Sequence, residues 1–456
     1  MEAIIQDMTK GSPARLIVRF AIPLMLGSAC QQFYTMVDTM VVGRGVGVEA
    51  LAAIGASDWL NWMILGIVLG FTQGFSILIS HCFGANDQKR LRKAIAMSYM
   101  LAVFMAVILT GLALVSARPI LVLLRTPANI LDLSLQYLYI VFAGILVITA
   151  YNTFSSILRA MGDSKTPLYA MIVAAVINIV LDILFVIVFH MGVPGAAVAT
   201  VIAQAFSSIF CFFAIRRLSM IHLHREDFHL DKQVIIRLVS MGSLTAFQNV
   251  VISVGGMVVQ SVVNGFGFLY VAGFTATNKL YGLLELAATS LGYGVATYVG
   301  QNLGARKFKR IKQGVKTTGW IGIAIAIFLM AFLIPFGRYF LNLFVSGNPQ
   351  DTARVLNIAY SYLFVMCCLL WVLYILHVYR SALQGMGNTF FSMLSGVAEL
   401  VLRIGAALIL PRYLGANGVY FAEGSAWIGA VLILLFAYAH KIKSFPDETA
   451  VSSLES

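Results

Sequence analysis

The stretch LIVRFAIPLMLGSACQQFYTMVDTMVV, residues 16–42, decides the fold. It is long enough to cross a bilayer, for which a helix needs about 20 apolar residues. It is too long for the apolar core of a signal peptide. Its apolar residues run on without alternation, so it is a helix and not a barrel strand. Eleven more segments of this kind follow, over about 54–80, 94–116, 134–158, 168–190, 194–215, 236–263, 271–300, 317–343, 357–379, 390–411 and 419–440. The composition agrees: 60% of residues are hydrophobic and 11% charged, against roughly 25% charged in a soluble domain. Only lipid leaves so much apolar surface unpenalised. The expected fold is all-α and polytopic, with twelve transmembrane helices in two pseudo-symmetric six-helix lobes.

The net charge of +12 could suggest a nucleic-acid partner, but the placement of the charges removes it. An even number of spans puts both termini on one side. Arg44, Arg118, Arg125, Arg338, Arg354 and Arg412 fall at the other side, and Lys279 and Arg403 fall within spans. The remaining 23 of the 31 Lys and Arg lie on the side of the termini. By the positive-inside rule both termini are cytoplasmic, and a multi-pass protein of a bacterial inner (plasma) membrane is expected. The segments divide into an N-lobe (1–215), an inter-lobe linker (216–235), a C-lobe (236–443) and a cytoplasmic tail (444–456). Cys30, Cys82, Cys211, Cys367 and Cys368 lie in or beside apolar runs without metal or redox spacing and read as packing residues.

The halves repeat. Phe83-Gly84-Ala85 with Lys89-Arg90 matches Leu303-Gly304-Ala305 with Lys309-Arg310, and Gly45-x-Gly47 matches Gly265-x-Gly267, both 220 residues apart. Leu158-Arg159-Ala160-Met161-Gly162-Asp163 matches Leu383-Gln384-Gly385-Met386-Gly387-Asn388 at 225. Six spans separate each pair, so the halves have parallel topology about an axis along the membrane normal. Two such lobes facing each other enclose a cavity, as a rocking transporter requires.

These motifs carry a resemblance. Ile22-Pro23-Leu24 opens the first span, and Val37-Asp38 with Val42-Gly43 closes it. Leu51-Ala52-Ala53 follows. Phe83-Gly84-Ala85, Gly300-Gln301-Asn302-Leu303-Gly304-Ala305 and Leu158–Asp163 end later spans. In order, spacing and duplication, over about residues 13–443, the chain resembles the MATE (multidrug and toxic compound extrusion) family of the flippase-related transporter superfamily, in its bacterial branch with an N-lobe cation site.

An ionisable group in mid-membrane costs at least ~2.5–3.5 kcal/mol, so each one needs a reason. Asp38 lies late in the first span. Asp182 lies mid-span in the fifth, with Asn178 on the same helix face, and Thr200 lies in the sixth. Their oxygens suit a hard monovalent cation, or the two acids share a proton; a hydrogen-bonded structural role is the plain alternative. The resemblance implies that Asp38, Asn178, Asp182 and Thr200 form the cation or proton site. Relatives that bind sodium in the C-lobe use a seventh-span glutamate where this chain has Gln248, which favours the N-lobe. Glu285 is read as a cavity acid or the partner of an amide or of Lys279. Glu399 and Arg403 read as an internal ion pair or a gate, and His377 as a packing or titrating group. Glu423 reads as interfacial. His222, His224 and His229, with Glu226, Asp227 and Asp231, read as a solvated linker and not a metal site. No metal is expected beyond a sodium at the N-lobe site.

Met-rich surfaces repack around varied ligands, and aromatic faces with acids suit flat organic cations. The substrate-cavity candidates are Gln31, Gln32, Tyr34, Met36, Trp59, Trp62, Tyr151, Gln248, Met257 and Glu285. The function implied is a cation-coupled (proton or sodium) antiporter exporting lipophilic, often cationic drugs by alternating access. Its partners are small molecules and the lipid bilayer; it needs no cofactor and acts as a monomer. A lipid-linked sugar flippase is the rival within the superfamily. An integral-membrane enzyme would need clustered catalytic groups at one membrane face, and a passive channel would not need duplicated lobes.

Overall fold

The computed structural model describes residues 5–124, 126–345 and 349–445. Arg125 and residues 446–456 of the tail lie outside them. Among the described residues there is no strand. The helices are α1 (Pro13–Gly45), α2 (Val48–Gly84), α3 (Gln88–Leu123), α4 (Ala128–Ala143), α5 (Ile145–Ala160), α6 (Lys165–Asp182), α7 (Gly192–Arg216), α8 (Lys232–Gly265), α9 (Phe268–Gly304), α10 (Phe308–Asn342), α11 (Pro349–Gly385), α12 (Thr389–Leu414) and α13 (Ala422–Lys443). Nine helical stretches among the described residues are long and apolar enough to cross a bilayer, ten with the bent pair α4–α5. One of these, Thr389–Lys443, holds two spans, α12 and α13. Helix α9 is more polar because it carries Thr275, Asn278, Lys279 and Glu285. With it the spans number twelve, as the sequence predicts.

Two spans depart from straight helices. The fourth, expected as one segment over 134–158, bends by 48° at the break between α4 and α5. The fifth is α-helical only to Asp182 and then widens into a π-helix, Ile183–Val188. Neither irregularity changes hydropathy, so neither leaves a mark in the apolar pattern.

The repeated motifs are helix stops. At the end of α5, Gly162 N–H donates to Arg159 and Asp163 N–H to the Leu158 carbonyl. At the end of α11, Gly387 N–H donates to Gln384 and Asn388 N–H to Leu383. Both glycines have positive φ, 91° and 76°, as a left-handed helix cap requires. After α2 and α9 the left-handed positions are Asn86 and Arg306, φ 55° and 56°. Asp87 N–H there reaches Cys82, and Lys307 N–H reaches Asn302. Gly162 is constrained twice, since a Cβ on it would lie 2.2 Å from the Gln6 carbonyl oxygen. Gly162→Ala is therefore expected to cost about 2 kcal/mol or more. Thermal unfolding in detergent checks this against Gly111→Ala, where an added Cβ meets nothing within 4 Å; equal midpoints would refute it.

The chain folds into two compact units. Unit 1 comprises residues 1–7 and 22–246, and unit 2 comprises 8–21 and 247–456. The division thus falls inside α1 and α8 rather than in the 216–235 linker. Packing explains both exchanges. In unit 1, Gly70 and Gly74 of α2 let α8 approach so closely that a Cβ on them would lie 2.3 and 2.4 Å from the backbone at Ala246 and Gly242. Small residues four apart are the usual means of such contact between membrane helices. In unit 2, the segment before α1 is tied to the end of α9 and the start of α10. Met8 N–H donates to Gln301 Oε1 (2.9 Å), Asn302 Nδ2 to the Met8 carbonyl (3.1 Å), and Arg310 Nη2 to the Gly11 carbonyl (3.0 Å).

Candidate functional site

Three helices of unit 1 each bring a polar pair spaced one turn apart: Tyr34 and Asp38 on α1, Asn178 and Asp182 on α6, and Thr200 and Gln204 on α7. Residues four apart share a helix face, so each pair forms a short polar stripe on an otherwise apolar helix. The stripes meet. Tyr34 lies within reach of Gln204, Asn178 Nδ2 approaches Thr200 Oγ1 at 3.5 Å, and Asp182 lies within electrostatic reach of Asp38. Asp38 is 7% exposed, while Asn178 and Asp182 are fully buried.

The oxygens of this cluster are not satisfied. Asp38 Oδ1, Asn178 Oδ1, both Asp182 carboxylate oxygens and Gln204 Oε1 are buried without a hydrogen-bond partner. A buried polar atom left unpaired costs roughly 1–3 kcal/mol, and native interiors rarely tolerate even isolated ones. Five on three converging helices form a ready set of oxygen ligands for protons or a hard cation. Helix α6 widens to its π-helix immediately after Asp182, a distortion often found at functional sites.

The four residues Asp38, Asn178, Asp182 and Thr200 are thus neighbours, and Tyr34 belongs with them. Gln204 and Asp58 were not picked out from the sequence. Gln204 follows Thr200 by one turn and could have been found by that spacing. Asp58, on α2, lies within electrostatic reach of Asp38, and Tyr137 of α4 lies within reach of all three acids. Of the other unit 1 candidates, Tyr151 is buried, Gln31 and Gln32 are half-buried, and Met36, Trp59 and Trp62 are exposed.

Unit 2 is built differently. Gln248 is buried and accepts from Ser392 Oγ (2.8 Å) and Gln384 Nε2 (3.3 Å). Arg380, counted from the sequence among the basic residues on the side of the termini, is buried and ion-paired with Glu399. Helix α11 runs to Gly385, past the expected end at 379, and this carries Arg380 inside. Arg403 Nη2 lies 3.6 Å from Glu399 and 2.7 Å from Glu423. Glu423 is therefore an internal ion-pair partner and not an interfacial residue, and Arg403 Nη1 donates to the Ile252 carbonyl (3.2 Å). Arg403 stands at the repeat position of Asn178, so this lobe holds a built-in cation where unit 1 has free oxygens. Glu285 lies 3.7 Å from His377 Nε2, which is its partner rather than Lys279. Met257 is half-buried. Among the described residues no group of three His, Cys, Asp or Glu could hold a metal. Asp227 accepts from His224 N–H (2.8 Å) and pairs with Arg92 (3.5 Å), which docks the linker on α3, while His222, His224, Glu226 and His229 are exposed, as a solvated linker requires.

Twelve membrane helices in duplicated halves, with unpaired oxygens buried in one of them, define a polytopic membrane transporter. The MatE family model matches residues 23–184 and 245–439, and the chain belongs to this family. It is 28% identical over 450 residues to the probable multidrug resistance protein YoeA of Bacillus subtilis, covering 95% of each chain. It is 32% identical over 356 residues to the probable multidrug resistance protein YpnP of the same organism, covering 76% of this chain and 78% of that one. Its fold matches the outward-facing structure of a multidrug resistance MATE family transporter of the MOP superfamily. That TM-score is 0.90 at 23% identity, covering 98% of this chain and 99% of the other.

Proposed function

We propose that this protein is an antiporter that exports lipophilic, often cationic compounds in exchange for a proton or sodium ion bound by Asp38, Asn178, Asp182 and Thr200. The observation that carries the reading is the set of buried, unpartnered oxygens on α1, α6 and α7. A structural network would satisfy these atoms internally; a site for an exchangeable ion leaves them open. The export of drugs is supported by relatives named as multidrug resistance proteins. The basic residues on the side of the termini support a cytoplasmic location for both ends, in a bacterial inner membrane.

In the proposed cycle the ion binds more tightly in one access state than in the other, because equal affinity would shift nothing. Helix α1 is the element suited to respond. It carries Asp38, and Pro23 interrupts its hydrogen-bond ladder beside the point, Ala21/Ile22, where α1 passes from unit 2 to unit 1.

Proteoliposomes loaded with ethidium test this. An imposed pH or sodium gradient is expected to accelerate export, and an ionophore that collapses the gradient should abolish the gain. Export indifferent to both gradients would sink the reading.

A further inference from the structure

The outward face of α10 changes character along its length. Lys312 and Lys316 are exposed one turn apart, and Trp320, the next residue on that face, is 64% exposed. Over the next three turns the exposed positions are Ala324, Ile327, Phe328, Ala331 and Phe332, all apolar. At 1.5 Å per residue, the lysines stand about 6 and 12 Å above the tryptophan. Tryptophan favours the headgroup level of a bilayer, and lysine stems can lie along an apolar helix while the amine reaches outward. The order cation, cation, indole, hydrocarbon follows the profile of one lipid from headgroup to chain.

The repeat shows that this face is specific to the second half. The positions 220 residues earlier are Arg92, Ala96 and Met100 on α3. There the linker packs on the helix through the turns Ser219–Ile221 and Arg225–Phe228. Asp227 pairs with Arg92, the His229 carbonyl accepts from Lys93, and Ala96 is fully buried. Helix α10 contains no Asp or Glu. Arg310 is engaged by Asn302 and Gly11, whereas Lys312 and Lys316 have no hydrogen bond or ion pair among the described residues. Among the described residues their charges lack a counter-ion, and they stand directly above an apolar, exposed surface.

We propose that Lys312, Lys316 and Trp320 form a binding face for an anionic phospholipid, with the phosphate held by the two amines and the acyl chain lying along α10 beyond Trp320. A soluble anion would use the amines alone; the apolar continuation of the same stripe fits a molecule that carries both parts.

Native mass spectrometry of the full-length, delipidated protein tests this with phosphatidylglycerol and phosphatidylcholine of identical chains. The wild type should retain phosphatidylglycerol preferentially. The K312Q/K316Q variant should lose that preference by on the order of thirty-fold, the effect of two lysines near an anionic headgroup. K89Q, an exposed lysine of the first half, should keep it. An unchanged preference in K312Q/K316Q would overturn the proposal, as would displacement of the lipid by millimolar inorganic phosphate. Labelling of Lys312 and Lys316 that is blocked in lipid-free protein and restored by deleting residues 446–456 would assign the face to the acidic tail residues Asp447, Glu448 and Glu455 instead, and would also overturn it.

Discussion

Asp182→Asn is expected to abolish ion-driven export while leaving the protein folded and as stable as the wild type, or more so. The substitution keeps the shape of the side chain and removes its capacity to bind a proton or compensate a cation. An ion that no longer distinguishes the two access states drives nothing, and gradient-dependent ethidium export should fall by on the order of 100-fold, to the passive leak. The stability half of the prediction separates function from structure. Both oxygens of Asp182 are buried and unpartnered, so nothing favourable is lost, and a costly buried acid is replaced by a neutral amide. A carboxylate kept for structure would behave oppositely, with a lowered unfolding midpoint and export reduced only in proportion to folded protein. Membrane-fraction abundance, thermal unfolding in detergent and export measured on the same preparations distinguish the two.

Arg403→Ala carries the largest expected loss of stability. The guanidinium lies 2.7 Å from Glu423 and 3.6 Å from Glu399, and Arg380 balances the second acid from the other side. Two cations and two anions thus make a neutral buried group. Removing Arg403 leaves Glu423 without its ion-pair partner, and breaking a buried pair of this kind costs about 3–5 kcal/mol. Arg403→Ala with Glu423→Gln should recover part of that loss, because the double variant no longer strands a charge. A single variant that unfolds within about 1 kcal/mol of wild type would show that the network contributes little.

The contrast between the lobes follows from these two cases. Unit 1 leaves oxygens open and tolerates the cost, as functional sites do. Unit 2 fills the repeat position of Asn178 with Arg403, whose tethered charge cannot dissociate. The sequence foreshadows this difference through Gln248 and Arg403, and the geometry extends it to Arg380 and Glu423.

The twelve spans were legible because lipid demands continuous apolar runs. What hydropathy does not record is a helix's choice of neighbour. The division inside α8 therefore could not be read, although the glycines of α2 that cause it, Gly70 and Gly74, stand four apart in plain sight. Asp38 and Asp182 were conspicuous as charges in apolar surroundings. Gln204 was not, because an amide near a span's middle carries no charge to draw notice, yet it lies one turn beyond Thr200. Asp58 sits close to the start of its span, where an acid ordinarily needs no explanation. Arg380 was misplaced because an error of one or two turns in a span's end moves a charge from water to the interior; Glu423, in the first turn of α13, was misplaced because hydropathy does not show that Arg403 reaches it.

Thermodynamic linkage gives the most direct test of the proposed exchange site. If ion and drug compete through Asp38 and Asp182, each must weaken the other's binding by the same factor. Ethidium affinity should be measured on detergent-purified protein across pH and across sodium concentration, for the wild type and for D38N/D182N. The account predicts that one of the two cations weakens ethidium binding to the wild type by about tenfold or more, and that the double variant binds ethidium without that dependence. The same cation dependence in both proteins would contradict it.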